Sequence, residues 1–175
     1  MKLNEVLLRW HKLDPRAIIP TKEPEAAGLD IYTIEENFTM APHSQDLFKT
    51  GLAVAIEEGW WLKIEDRGST GSKGLHIHCG IVDNDYRGEI FVCIKNDNPY
   101  AVKFTDEEVA GMHEWNADSE AKWYEKYYVY PIHKAIAQVI PILQPIVSSG
   151  EATDEEWEKL KVTKRGEGKL GSTGK

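Results

Sequence analysis

Five short stretches of this chain carry the residue types that phosphate chemistry uses. DRGSTGSKG (66–74) places Arg67 ahead of small hydroxyl and glycine residues, Gly68 and Ser69 first. That is the composition of a turn whose N–H groups cradle a phosphate. RGEGKLGSTGK (165–175) has four of its first ten residues as glycine, and Lys164, Arg165, Lys169 and Lys175 stand against Glu167 alone. Exposed N–H groups beside fixed cations suit an oligophosphate. GIVDNDYRGEI (80–90) sets Asp83, Asp85 and Tyr86 around a tight turn; AAGLDIYT (26–33) sets Asp30 just after a glycine-containing turn. KAIAQVI (134–140) holds one amide, Gln138, in an apolar run. Each stretch alone has a plainer reading. Asp-Asn-Asp is ordinary turn chemistry, Gln138 could face water from an edge strand, and a glycine-rich end is commonly disordered. His76-x-His78 beside Cys79 could begin a zinc site, but no fourth ligand follows at a plausible spacing.

The elements that must hold these residues are strands. In GLAVAIEEGWWLKIEDRG, Leu52, Val54 and Ile56 share one parity; after the turn at Glu58-Gly59, Trp60, Leu62 and Ile64 share a face. In EIFVCIK, Ile90, Val92 and Ile94 alternate with Glu89, Phe91, Cys93 and Lys95. Period two between Gly, Pro and Asn-Asp punctuation predicts many short strands, hence a sandwich, jelly roll or barrel. IAQVIPILQPIV (136–147) predicts one more buried strand, ended or bulged at its prolines. Residues 105–131 break the rhythm, with seven acidic and two basic residues, four tyrosines and two tryptophans. There, Thr105-x-x-Glu108 matches a capping box and DSEAKWYEKY (118–127) predicts a short helix. The segment is either a packed excursion between strands or an acidic, aromatic docking surface.

Composition narrows the class. A length of 175 residues fits a single domain. The net charge of −8 argues against general nucleic-acid binding, and no apolar run approaches a membrane span. The start, MKLNEVLLRWHKLD, is too polar for a signal-peptide core, and two cysteines, Cys79 and Cys93, give no disulfide framework. The expectation is a soluble cytoplasmic domain.

In order and spacing, the five stretches resemble the five motifs of the trimeric dUTPases (deoxyuridine triphosphate nucleotidohydrolases), from residue 26 to residue 174. GIVDNDYRG and RGEGKLGSTG are the most specific, and the 105–131 insertion is similar to those of some phage members. The resemblance implies an all-β, jelly-roll-like subunit in a homotrimer, with residues 1–163 as one β domain and 164–175 as an arm serving a neighbour. It implies a dUTP diphosphatase that yields dUMP and pyrophosphate. Asp83 matches the general base, and Tyr86 the ring that packs on deoxyribose. The backbone from His78 through Gly80, Ile81 and Val82 to Asp83 would read uracil. Arg67, Gly68, Ser69 and Gln138 would bind phosphate oxygens, while Arg165, Gly171, Ser172 and Thr173 would hold the γ end. Mg²⁺ would ride on the triphosphate, with Asp30 supporting the site through water or through its turn.

Three positions depart from the family pattern. Gly68 stands where Ser usually follows the Arg, so Ser69 or Ser72 must supply any hydroxyl. Ala135 stands where Arg usually precedes Ile-Ala-Gln. Leu170 replaces the arm's Phe and would cover the base without ring stacking. A dCTP deaminase shares the fold, but the Tyr and Asp of GIVDNDYRG and so complete an arm are features of the diphosphatase. A protein partner docking on 105–131 is a further alternative of a different class.

Overall fold

The computed structural model describes residues 5–115 and 125–163. Its strands are β1 (Leu8–Lys12), β2 (Leu29–Ile31), β3 (Phe38–Met40), β4 (Gln45–Lys49), β5 (Leu52–Ile56) and β6 (Trp60–Glu65). After one helical turn, α1 (Gly68–Gly71), come β7 (Leu75–His78), β8 (Ile81–Val82), β9 (Phe91–Asn96) and β10 (Ala101–Phe104). The chain continues through β11 (Gly111–Glu114), β12 (Lys126–Tyr130) and β13 (Ala137–Leu143) to the helix α2 (Asp154–Leu160). The strands form sheets in the orders β1-β5, β11-β12-β10-β3, β2-β13-β6-β8 and β4-β9-β7. The architecture is all-β.

Residues 1–144 form one compact unit and 145–175 a second. All the strands lie in the first, around a core in which Phe38 meets Phe48, Phe48 meets Phe104 and Phe104 meets Tyr130 at ring distances of 4.9–5.4 Å. Period-two patterning works as physical chemistry requires: Leu62 and Ile64 enter the core while Lys63 between them is exposed. Ile90, Val92 and Ile94 are likewise buried. Cys93 departs from the pattern, because it is only 3% exposed although its parity puts it on the outer face. β13 passes through Pro141 instead of ending there. β2 pairs only with Ala137–Val139, so Pro141 sits where one side of the strand is unpaired and a missing N–H is tolerated.

The insertion corrects two expectations. Lys126 and Tyr127 belong to β12 rather than to a helix, because KYYVY pairs parallel to β10, with β11 added antiparallel. The rest of the predicted helix, 118–124, falls outside the described residues. Thr105 starts no helix either: its hydroxyl donates to Asn37 Oδ1 and accepts from Glu107 N, stitching a loop to the residue before β3. A capping box does occur at the start of α2, where Thr153 accepts from Glu156 N at 3.3 Å.

Candidate active site

The sheet β2-β13-β6-β8 carries both groups of candidate residues. At one edge the register sets Asp30 beside Gln138, and Gln138 beside Glu65. Arg67 leaves the end of β6 and folds back over Asp30. Its Nε and Nη2 donate to the two carboxylate oxygens at 2.9 Å each, and Nη1 donates to Ser69 Oγ (3.2 Å) and to the Ala135 carbonyl (3.1 Å). Four of its five N–H groups are thereby engaged, so the guanidinium is a fixed cation with one Nη2 N–H remaining among the described residues. The buried Tyr130 hydroxyl also donates to the Ala135 carbonyl, at 2.8 Å, and burial pushes its phenol pKa up. Gln138 Nε2 donates to the Asp66 carbonyl at 2.6 Å, fastening the peptide that leads into Arg67. A Cβ at Gly28 would lie 2.9 Å from Gln138 Oε1, so a side chain there would displace the Gln138 amide. Gly28, Asp30, Tyr32 and Arg67 line a cavity of about 300 Å³.

The second group is the hairpin beyond β7. Gly80 presses on β6: Ile64 N donates to its carbonyl at 2.6 Å, and a Cβ would lie 2.2 Å from the Ile64 oxygen. This close approach directs Ile81 and Val82 into pairing with Lys63 and Leu62. Asp83 follows at the exposed turn, which Tyr86 N closes on the Asp83 carbonyl at 3.2 Å. The Tyr86 hydroxyl donates to the Glu89 carbonyl at 3.0 Å, and the ring lies over Gly88, where a Cβ would come within 2.4 Å of Oη. Asp83, Tyr86, Cys79, Val82, Ile64 and Phe91 border a cavity of about 190 Å³. On its outer side Asp83 also borders a larger cleft with Trp61, Asn84 and Asp85. His78 turns its imidazole to Gln45, at 2.9 Å, and is not among the residues bordering the 190 Å³ cavity. His76 pairs with Asp66 at 2.8 Å.

Asn84 was hidden in the Asp-Asn-Asp turn. Its Nδ2 donates to the carbonyls of Glu57 and Trp60 at 2.8 Å and of Ile56 at 3.3 Å. One amide thus pins the turn carrying Asp83 to the β5–β6 connection. Tyr130 and the Ala135 carbonyl were missed as well, because their partnership with Arg67 is tertiary. Arg165, Leu170, Gly171, Ser172 and Thr173 lie outside the described residues.

The structure brings Asp30, Arg67, Ser69 and Gln138 together, and separately Gly80, Val82, Asp83 and Tyr86. It does not bring the two groups to one point. From β2 to β8 is three strand steps, and Glu65 to Leu62 is three residues along β6. At ordinary strand spacing and rise the groups are on the order of 17 Å apart. None of the residues bordering the 190 Å³ cavity also borders the 300 Å³ one.

Comparison with known proteins gives one consistent result. The family model described as dUTPase matches residues 14–108. The deoxyuridine 5'-triphosphate nucleotidohydrolase of Nautilia profundicola is 33% identical over 172 residues, covering 96% of this chain and 99% of the relative. The dUTPase of Staphylococcus bacteriophage 80alpha, solved with dUPNHPP, superposes with a TM-score of 0.70 at 25% identity, covering 97% of this chain and 99% of that one. It is described as a phage dUTPase that controls transfer of virulence genes by a proto-oncogenic G protein-like mechanism. A dUTPase of phage phi11 of S. aureus, described with a structural Mg(II) ion, has the same fold at a TM-score of 0.63 and 24% identity, covering 87% of this chain and 99% of that one.

Proposed function

The chain belongs to the dUTPase family, and on that premise we propose that it hydrolyses dUTP to dUMP and pyrophosphate in the cytoplasm, limiting uracil in DNA and supplying dUMP for dTMP synthesis. The observation that carries the reading is the hairpin cavity of about 190 Å³ with Asp83 and Tyr86 on its wall. Uracil enters that cavity and meets the main chain from His78 to Asp83, while Tyr86, held over Gly88, packs on deoxyribose and leaves no room for a 2′-hydroxyl. The exposed Asp83 carboxylate accepts a proton from a water as its oxygen attacks the α-phosphorus. The bond to the α–β bridging oxygen breaks, and pyrophosphate leaves with the electron pair. Arg67, held by Asp30, supplies fixed positive charge toward the phosphates with Gly68 and Ser69. Gln138, whose Nε2 keeps a second N–H, completes that clamp. Arg165, Gly171, Ser172 and Thr173 hold the γ end, with Leu170 over the base.

Magnesium fits this arrangement as a passenger on the triphosphate. Among the described residues no group of three His, Cys, Asp or Glu side chains could hold a metal ion. Phosphate oxygens and retained waters are a sufficient ligand set for Mg²⁺. Both Asp30 oxygens already accept from Arg67, so Asp30 would reach such an ion through water. The ion neutralises charge on the phosphates.

Separation of the two groups supports a site shared between copies, as a homotrimer would provide. A general base works within about 3 Å of the water it deprotonates, and the phosphate clamp must act on the adjoining phosphates of the same molecule. Groups some 17 Å apart by strand spacing cannot both do so within one chain. Asp83 of one copy therefore meets Arg67 of another, and the arm 164–175 closes the site. A partner protein on the insertion is a second reading. β11 is an edge strand with Met112 exposed, and the phage 80alpha relative is described as a regulator. The test of the first reading is pyrophosphate release from dUTP, dCTP, dTTP and UTP presented separately. Release from dUTP alone is expected; ammonia release from dCTP would make the protein a deaminase instead.

A further inference from the structure

The two cysteines of the chain lie close together beside the hairpin cavity, Cys79 on its wall and Cys93 buried behind it. β7 and β9 are antiparallel with His78 opposite Cys93, so Cys79 is the next residue along, diagonal to Cys93. Diagonal neighbours in such a register have Cα atoms about 6 Å apart, inside the range a disulfide spans. In an unbroken strand Cys79 would point to the face opposite His78 and Cys93. Cys79 is not in an unbroken strand: its φ is +53°, a left-handed conformation rare for a residue with a side chain, and it ends the alternation there. Burial first and the neighbouring Cys79 thiol next push the Cys93 thiol pKa up. Cys79 is exposed and Cys93 buried, and Cys79 borders the same cavity as Asp83 and Tyr86.

We propose that Cys79 and Cys93 form a reversible intrachain disulfide on exposure to a hydroperoxide, and that this bond impairs nucleotide binding in the adjoining cavity. The second half rests on the dUTPase reading; the first does not. Accessibility assigns the order of events. The Cys79 thiolate attacks one oxygen of hydrogen peroxide, the O–O bond breaks, and the departing hydroxide takes a proton to leave as water with Cys79 as sulfenic acid. Cys93 sulfur then attacks Cys79 sulfur, the S–O bond breaks, and the hydroxide leaves with the Cys93 proton as a second water. Each cysteine gives one electron, and the peroxide takes two.

The consequence for the cavity follows from what cannot move. Gly80 is pinned against Ile64, and His78 is held in the β7–β9 ladder. A shift of Cys79 toward Cys93 is therefore absorbed in the main chain between these points, where uracil would be read. Losing one main-chain hydrogen bond to the base corresponds to a rise in KM of about tenfold.

Peroxide treatment of the full chain without nucleotide, followed by thiol titration and non-reducing peptide mapping, tests the bond itself. Expected are the loss of both thiols, a peptide linking 79 to 93 within one chain, and full recovery with dithiothreitol. Cys79→Ser, at an exposed position, should give no intrachain link. With dUTP as substrate, peroxide should raise KM in the wild type and not in that variant. The proposal is overturned if both thiols survive, if Cys79 goes on to sulfinate without a link, or if the link joins two chains. An unchanged KM in the linked protein overturns its functional half. If dUTP is not a substrate at all the dUTPase reading falls, while peptide mapping still decides the disulfide.

Discussion

Replacing Asn84 separates hydrogen-bond donation from shape. Its amide reaches three main-chain carbonyls, two of them at 2.8 Å, from a partly buried position. At about 1 kcal/mol net for each of the two short bonds, Asn84→Ala should cost about 2 kcal/mol. That is a large fraction of the ~5–15 kcal/mol that stabilises a domain. Asn84→Asp keeps the shape but turns a carboxylate toward the same three oxygens. Leaving that charge unpaired adds about 1–3 kcal/mol, so the isosteric change should be the more damaging. The pH dependence has a definite sign. Facing carbonyls, the introduced carboxyl has its folded pKa raised above its unfolded value near 4. Its protonated form is the compatible one and can donate one hydrogen bond, so the deficit is smallest in acid and grows as pH rises through the raised pKa. Urea unfolding followed by tryptophan fluorescence, at one protomer concentration and at acid and neutral pH, measures both effects. An Asn84→Asp protein as stable as wild type at neutral pH, or more stable than Asn84→Ala there, would refute the assignment of Asn84 as the donor that holds the Asp83 turn.

The Asp30–Arg67 ion pair under the proposed phosphate clamp gives a kinetic prediction. Asp30→Asn removes the charged partner of both Arg67 bonds, and kcat/KM for dUTP should fall at least tenfold, about 1.5–3 kcal/mol for bonds to a charged group; an unchanged value would detach Asp30 from the site. The insertion has an alkaline signature. Burial, and then the hydrogen bond to Glu108, raise the Tyr127 phenol to about 12, so its contribution to stability is complete below the ordinary value of 10 and is lost as pH rises through about 12. Phenolate absorbance followed together with β-structure should show late titration of this tyrosine, and Glu108→Gln should bring it earlier. Removing residues 164–175 should leave the fold and the assembly intact by light scattering and circular dichroism while abolishing most hydrolysis. Leu170→Phe in the full chain should tighten dUTP binding by about 0.5–1.5 kcal/mol if residue 170 covers the base.

Local pattern and tertiary partnership were unequally legible in the sequence. Leu62 and Ile64 announced their strand because burial on one face imposes period two; in GIVDNDYRG, Gly80 reflects a close main-chain approach that no side chain fits, and Gly88 lies under the Tyr86 ring. KYYVY was harder, since helix formers precede it and its strand character comes from pairing with β10, a partner about 25 residues earlier. Pro141 looked like a terminator because nothing local says that β2 stops at the register of Val139. The Asp30–Arg67 pair spans 37 residues, and Asn84 finds acceptors 24 to 28 residues away. Such bonds follow from how the sheet β2-β13-β6-β8 is stacked, and no short window of sequence contains them. Residue identity pointed to a phosphate site at Arg67; only the structure shows that most of its donors are spent holding it still.

On the proposed reading, Asp83 of one copy and Arg67 of another act on the same dUTP molecule. Asp83→Asn and Arg67→Ala proteins, each assayed alone for pyrophosphate release and then unfolded together and refolded as a mixture, test it directly. Each variant alone should be nearly inactive, with Asp83→Asn still binding dUTP and its turnover down by about 10²-fold or more, as for loss of a general base. The mixture should regain activity, because some sites then combine an intact Asp83 from one chain with an intact Arg67 from the other. A mixture no more active than its components, with mixed assemblies demonstrated by mass spectrometry, would contradict the shared site, and near-normal turnover by Asp83→Asn alone would remove Asp83 from the chemistry.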